Sequence, residues 1–247
     1  MIPKDRIIAA PYMSHRSDIL SPGNFSLQVA ADSRRLEFDY KNEVIISNDI
    51  PVDFVFIGDS ITHFWELNAY FRRQGKLVLN RGIGGDTTEY VLKRFEADVV
   101  QLKPWYAVMK IGVNDTLKLE SDPWQKIVGS SPEAVEEGIA RNIKAIIELA
   151  GNRKQDLILC SILPTNMVVT QKNKERNILI NRVNSKLEMI AKESGIIYVD
   201  YYSHFIGSDR VTLMDGVSDD GVHPHVVGYN MMADILRETL MQNSIEI

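Results

Sequence analysis

Five short runs of apolar, β-branched and aromatic residues punctuate the chain, at 52–57, 77–79, 105–111, 157–163 and 196–199. Each is nearly continuous rather than alternating, the pattern of a strand covered on both faces. Helical periodicity fills the gaps between them. Val135, Ile139, Ile143, Ile147 and Ala150 form one apolar stripe, opened by Ser131-Pro132-Glu133 and closed by Gly151-Asn152. Ile180, Val183, Leu187 and Ile190 form a second, ended by Gly195. Asp86-Thr87-Thr88-Glu89 reads as a capping box opening a helix through about Ala97, and a last helix is expected from about Val226 to Leu240. Strands alternating with helices imply βαβ units, a mostly parallel sheet and right-handed crossovers. In such sheets sites gather beyond the carboxyl ends of the strands. Any chemistry should therefore lie in the residues that directly follow each apolar run.

The 247 residues suit one large domain or two small ones. A single cysteine excludes an intrachain disulfide framework and a cysteine zinc cluster. With 28 Lys plus Arg against 33 Asp plus Glu, the net charge of −5 lacks the basic footprint of a nucleic-acid binder. No window is long and apolar enough to insert in a membrane. The opening Met1-Ile2-Pro3-Lys4-Asp5-Arg6-Ile7-Ile8 is too mixed for a signal peptide, so the expectation is a soluble, cytoplasmic protein. Residues 1–50 break the alternating pattern, with a polar turn at Ser21-Pro22-Gly23-Asn24 and a helix expected around 30–44. They are read as an extension packed on the core or on a partner subunit, and residues 51–247 as the main domain. Residues 117–131, with Pro123 and Trp124, form a long loop after a strand and suit a lid or substrate wall.

The first strand runs into Gly58-Asp59-Ser60-Ile61-Thr62, which sets Ser60 at the start of a helix expected from Ile61 to about Arg73. There it is either a hydroxyl beside backbone N–H groups that stabilise negative charge, or simply an N-cap. The second strand runs into Asn80-Arg81-Gly82-Ile83-Gly84-Gly85-Asp86-Thr87. This is neither a dinucleotide fingerprint nor a P-loop, but its glycines permit close approach of backbone to a ligand. The third run ends in Gly112-Val113-Asn114-Asp115, where Asn114 can donate two side-chain N–H bonds or simply form a turn. Near the C-terminus, Asp219-Asp220-Gly221-Val222-His223-Pro224-His225 places an acid three residues before a histidine. That spacing lets the acid hold one ring nitrogen while the other faces a nucleophile. A metal site from Asp219, Asp220, His223 and His225 is the competing reading. Together the four blocks supply a nucleophile, a base, an orienting carboxylate and oxyanion donors, the parts needed for acyl transfer.

On these blocks, in this order, the chain resembles the SGNH hydrolase superfamily, also called GDSL lipases and esterases, over about residues 52–240. The stretch 56–88 and the Gly-x-Asn turn look most like the catalytic subunits of platelet-activating-factor acetylhydrolase. The resemblance implies a three-layer α/β/α flavodoxin-like fold with a five-stranded parallel sheet and no metal or organic cofactor. It implies Ser60 as nucleophile, His223 as general base and acid, and Asp220 as the residue that orients His223. The oxyanion donors it implies are the N–H groups of Ser60 and Gly82 and the Asn114 side chain. Ile61 stands where the family has Leu.

The activity so implied is a serine esterase that hydrolyses short-chain acyl esters, acetyl first, of a small molecule, carbohydrate or lipid. The alternative is a non-catalytic binding or scaffold protein on the same fold. The expected partner is the small ester, and a homodimer is the oligomer that the resemblance implies. Elsewhere, Cys160 reads as a small buried hydrophobe, and His63 as a pocket-lining or a surface residue. Trp65, Trp105 and Trp124 read mainly as core, Trp124 also as a pocket wall. Lys110, a charge inside the third strand run, needs a partner that the sequence does not name.

Overall fold

The computed structural model describes residues 18–25, 32–71, 75–121, 128–168 and 170–247. In chain order the elements are α1 (Asp32–Ser47), β1 (Phe54–Gly58), α2 (Ser60–His63), α3 (Leu67–Phe71), β2 (Val78–Gly82), α4 (Thr88–Asp98), β3 (Tyr106–Lys110), α5 (Pro132–Asn152), β4 (Leu157–Cys160), α6 (Asn173–Ser194), β5 (Ile197–Val199), α7 (Tyr202–Phe205) and α8 (Val226–Gln242). The strands pair in the order β2-β1-β3-β4-β5, every pair parallel. All five residues of β1 are buried, as a central strand covered on both faces requires.

The order explains the layers. From β1 the chain steps one way to β2, then back past β1 to β3 and onward to β4 and β5. With right-handed crossovers, that reversal sends α2 and α3 to one face and α4, α5 and α6 to the other. Helix α5 accordingly packs against both α4 and α6. On the opposite face α8 returns to α2 and α3, where Tyr229 stacks on Trp65 and Arg237 lies over the Phe71 ring. The register aligns Gly58 with both Gly82 and Lys110. The residues that follow β1, β2 and β3 therefore leave the sheet side by side, at the point where the strand order reverses and a ligand site is expected.

Most helices obey local rules, with instructive exceptions. Ser131 caps α5 by accepting from Ala134 N–H, and Gly195 ends α6 at φ +67°. The α5 core stripe is Val135, Ile139, Ile143, Ile146 and Ala150, with Ile146 buried where the sequence reading had Ile147. Repeated i, i+4 steps drift by roughly 40° each, so an i+3 step restores the face. The helix expected from Ile61 to about Arg73 is split into α2 and α3, and residues 72–74 lie outside the described set. Asn80 Nδ2 takes the carbonyls of Thr62 and Trp65 at 2.7 and 3.1 Å, oxygens that a continuous helix would have used itself.

The extension helix α1 is longer than the reading of 30–44. It lies along the β2 edge, where Asn42 Oδ1 accepts from Arg81 at 2.8 Å and Arg34 donates to Gly82 C=O at 3.0 Å. The described part of the extension thus packs against α4 and reaches β2 through Asn42 and Arg34. No described helix is long and apolar enough to cross a membrane.

Candidate active site

Asp59, not Ser60, caps the helix after β1. Its Oδ1 accepts Ile61 N–H at 2.9 Å, which leaves Ser60 as the first helical residue with its hydroxyl free for another partner. That partner is His223, whose Nε2 lies 2.8 Å from Ser60 Oγ. The opposite ring nitrogen, Nδ1, lies 2.5 Å from Asp220 Oδ2. Burial pushes the Asp220 carboxyl upward, but the His223 ring and the backbone N–H groups of His223 and Val222 outweigh it and hold the group well below the usual carboxylate range. An ionised Asp220 can only accept, so the His223 proton sits on Nδ1 and Nε2 is left to accept from Ser60. Gly221 makes the Asp220 turn feasible. It sits at φ +79°, and a Cβ there would lie 2.0 Å from Asn166 O.

The second block runs past Ser60 differently from expectation. Gly82 N–H is donated to Asn80 Oδ1 at 2.8 Å, so it is not free to bind an oxyanion. Gly82 is instead a packing glycine, since a Cβ there would come within 2.2 Å of His63 N. The Asn80-x-Gly82 spacing is that of an Asx turn, a local signal for this capture. Gly84 comes near Ser60, its ideal Cβ 3.9 Å from Ser60 Cβ. Its own N–H donates to His63 Nδ1 at 3.2 Å. Gly85, at φ +80°, follows with an N–H that no described residue takes up.

The third block is tied to the second by both of its polar residues. Asn114 Nδ2 donates to Asp86 C=O at 2.8 Å, which fixes the amide plane and leaves its second N–H available. Asp115 accepts Thr88 N–H at 3.0 Å and Thr88 Oγ1–H at 2.6 Å. It thereby does the work assigned in the sequence to a capping box. Thr87 makes no side-chain cap, and Glu89 pairs with Lys93. Asp86 instead pairs with Arg94, a fully buried guanidinium that also donates to Arg81 C=O, Gly58 C=O and Asp98. Arg94 thus joins the ends of β1 and β2 to the loop on which Asn114 leans. Neither Asp115 nor Arg94 stood out in the sequence, because their partners lie on other loops and strands.

Comparison with known proteins then places the chain. A model of the GDSL-like Lipase/Acylhydrolase family matches residues 56–231. The chain belongs to that family. Among its relatives, platelet-activating factor acetylhydrolase IB subunit alpha2 of Rattus norvegicus is 27% identical over 209 residues, covering 81% of this chain and 80% of that one. An acetylxylan esterase of Geobacillus stearothermophilus is 24% identical over 170 residues, covering 68% and 73%. A solved GDSL-like lipase from Bacteroides thetaiotaomicron superposes with a TM-score of 0.68 at 28% identity, covering 83% of this chain and 99% of that one. This GDSL-family protein is therefore a carboxylic ester hydrolase, on the three-layer α/β/α fold expected of it.

The remaining sequence candidates fall into place around this GDSL site. Lys110 faces Asp59, with Nζ 4.0 Å from Oδ2, and neither atom has a hydrogen-bond partner among the described residues. Burial lowers the Lys110 pKa, and Asp59 opposes that shift. His225 is committed elsewhere, since its Nδ1 accepts Val227 N–H and caps α8, while both His223 nitrogens are engaged by Ser60 and Asp220. Among the described residues, Asp219, Asp220, His223 and His225 do not gather into a metal-ligand cluster. Trp65 and Cys160 are buried as expected, but Trp105 is 70% exposed, just ahead of β3 at the amino end of the sheet. Pro123 and Trp124 lie outside the described residues. Phe64, 59% exposed, sets its ring 5.4 Å from that of His223, edge to face.

Proposed function

We propose that this protein removes short acyl groups, acetyl first, from small ester substrates through an acyl-Ser60 intermediate. The carrying observation is the continuous chain Ser60 Oγ, His223 Nε2, His223 Nδ1 and Asp220 Oδ2, with steps of 2.8 and 2.5 Å. His223 takes the Ser60 proton as Oγ attacks the ester carbonyl, and Asp220 stabilises the imidazolium that forms. The oxyanion accepts from the Ser60 N–H, the second Asn114 N–H and the N–H of Gly85, which replaces Gly82 in that role. Collapse breaks the ester C–O bond, and His223 returns its proton to the departing alcohol. Water, deprotonated by His223, then attacks acyl-Ser60; the acyl–Oγ bond breaks, the acid leaves and His223 returns the proton to Ser60 Oγ. The names of the acetylhydrolase and acetylxylan esterase relatives support acetyl as the acyl group.

Hydrolysis of p-nitrophenyl acetate, butyrate and octanoate by wild type and Ser60→Ala, with chelator present, tests this reading. Turnover of the short esters that disappears in Ser60→Ala is expected. Turnover surviving in the variant, or a preference for octanoate, contradicts it.

A further inference from the structure

Two side chains with no part in the proton relay hold the turn that passes the nucleophile. Gly84 N–H donates to His63 Nδ1 at 3.2 Å, and Gly82 C=O accepts from Arg34 Nη1 at 3.0 Å. The first contact matters more, because Gly84 lies between the two: its ideal Cβ is 3.7 Å from His63 Nδ1 and 3.9 Å from Ser60 Cβ. A ring nitrogen that accepts an N–H carries no proton, so His63 is neutral with its proton on Nε2. Arg34 belongs to α1 and is itself held, over the Phe38 ring at 4.9 Å and beside Glu37 at 3.3 Å.

We propose that His63 and Arg34 are positioning residues that fix the peptide planes of the Gly82–Gly85 turn, and so aim the Gly85 N–H at the oxyanion. The inference rests on the reading of Ser60 as nucleophile and Gly85 as donor. It gives the extension a task, since α1 supplies one of the two clamps. It also makes the clamp sensitive to pH. Protonation of Nδ1 turns the acceptor into a second donor facing the Gly84 N–H, and the contact is lost. The charged groups that face His63 are Arg34 and Glu37, both from α1, with the Phe64 ring on its own segment. Burial and Arg34 lower the His63 pKa while Glu37 raises it. The net shift is downward, so the clamp is closed at neutral pH and opens on acidification.

The test compares wild type with His63→Ala, His63→Asn, Arg34→Ala and Arg34→Lys. It measures kcat and KM on p-nitrophenyl acetate across pH, fluorophosphonate labelling of Ser60, and thermal melts. His63→Ala should lower kcat about tenfold, less than the roughly 10²–10³ lost when a donor itself is removed, with KM little changed. His63→Asn, whose Oδ1 can occupy the Nδ1 position, should recover most of that loss and drop one ionisation from the acid limb. Arg34→Ala should show a smaller kcat loss, partly restored by Arg34→Lys. An active wild type beside a His63→Ala enzyme of equal kcat overturns the inference alone, and so does a His63→Asn enzyme as impaired as His63→Ala. Wild type that neither hydrolyses the ester nor labels at Ser60 overturns the esterase reading and this inference with it.

Discussion

Arg94→Met removes a guanidinium that is wholly buried and donates to four acceptors: Asp86 at 2.8 Å, Asp98 at 2.9 Å, and the carbonyls of Arg81 and Gly58 at 2.8 and 3.1 Å. Its two acid partners fare differently afterwards. Asp98 keeps Arg35 and Asn42, whereas among the described residues Asp86 keeps only the Thr87 N–H at 3.1 Å. The cost is that of one buried carboxylate stripped of its counter-charge, about 3–5 kcal/mol. For a chain of this size that lowers Tm by about 6–20 °C. The pH dependence separates this cause from simple loss of packing. Burial already raises the Asp86 carboxyl to about 6 against the pull of Arg94, and without Arg94 it rises further. A carboxyl whose folded pKa exceeds its unfolded value destabilises the fold as pH climbs through the interval between them. The deficit relative to wild type should therefore be smallest at about pH 5, where Asp86 is protonated in both proteins, and widen toward about pH 8, as pH climbs from the wild-type value toward the variant's higher one. Denaturant melts at the two pH values measure it. A deficit under about 1 kcal/mol, or one that does not change with pH, would refute the reasoning.

Asn114→Ala should cost roughly 10²–10³ in kcat with the fold retained, because the proposed mechanism makes this half-exposed side chain an oxyanion donor; steady-state kinetics alongside a melt would check both halves. Gly82→Ala and Gly84→Ala should part company in a thermal melt. The first drives a Cβ to 2.2 Å from backbone and should be severely destabilising, while the second meets only ordinary contacts at 3.7 Å and beyond and should melt near wild type. Equal melting temperatures for the two would contradict the packing role given to Gly82.

All five strands were legible as continuous apolar runs, right to within three residues at their ends. The one cut short was β2. Reading it as 77–79 missed its second half because Asn80 and Arg81 look like a turn, yet Arg81 is buried by Asn42 from α1. The helix break after His63 was illegible for a related reason, since the Asn80 amide that ends α2 comes from the neighbouring strand. The site itself was readable wherever its geometry is local. Asp220 and His223 sit three residues apart on a turn, and Ser60 follows a strand directly. The free N–H of the glycine-rich turn was not readable. Which of Gly82, Gly84 and Gly85 has a free N–H depends on Asn80 and His63, and each glycine fits the composition of the block equally well.

Fluorophosphonate labelling followed by peptide mapping tests the central claim, that Ser60 is activated through His223, most directly. The account predicts a single adduct on Ser60 in wild type, strongly slowed in His223→Ala. Hydrolysis of short esters by wild type with the label absent from Ser60, or Ser60 labelled equally fast without His223, would contradict it.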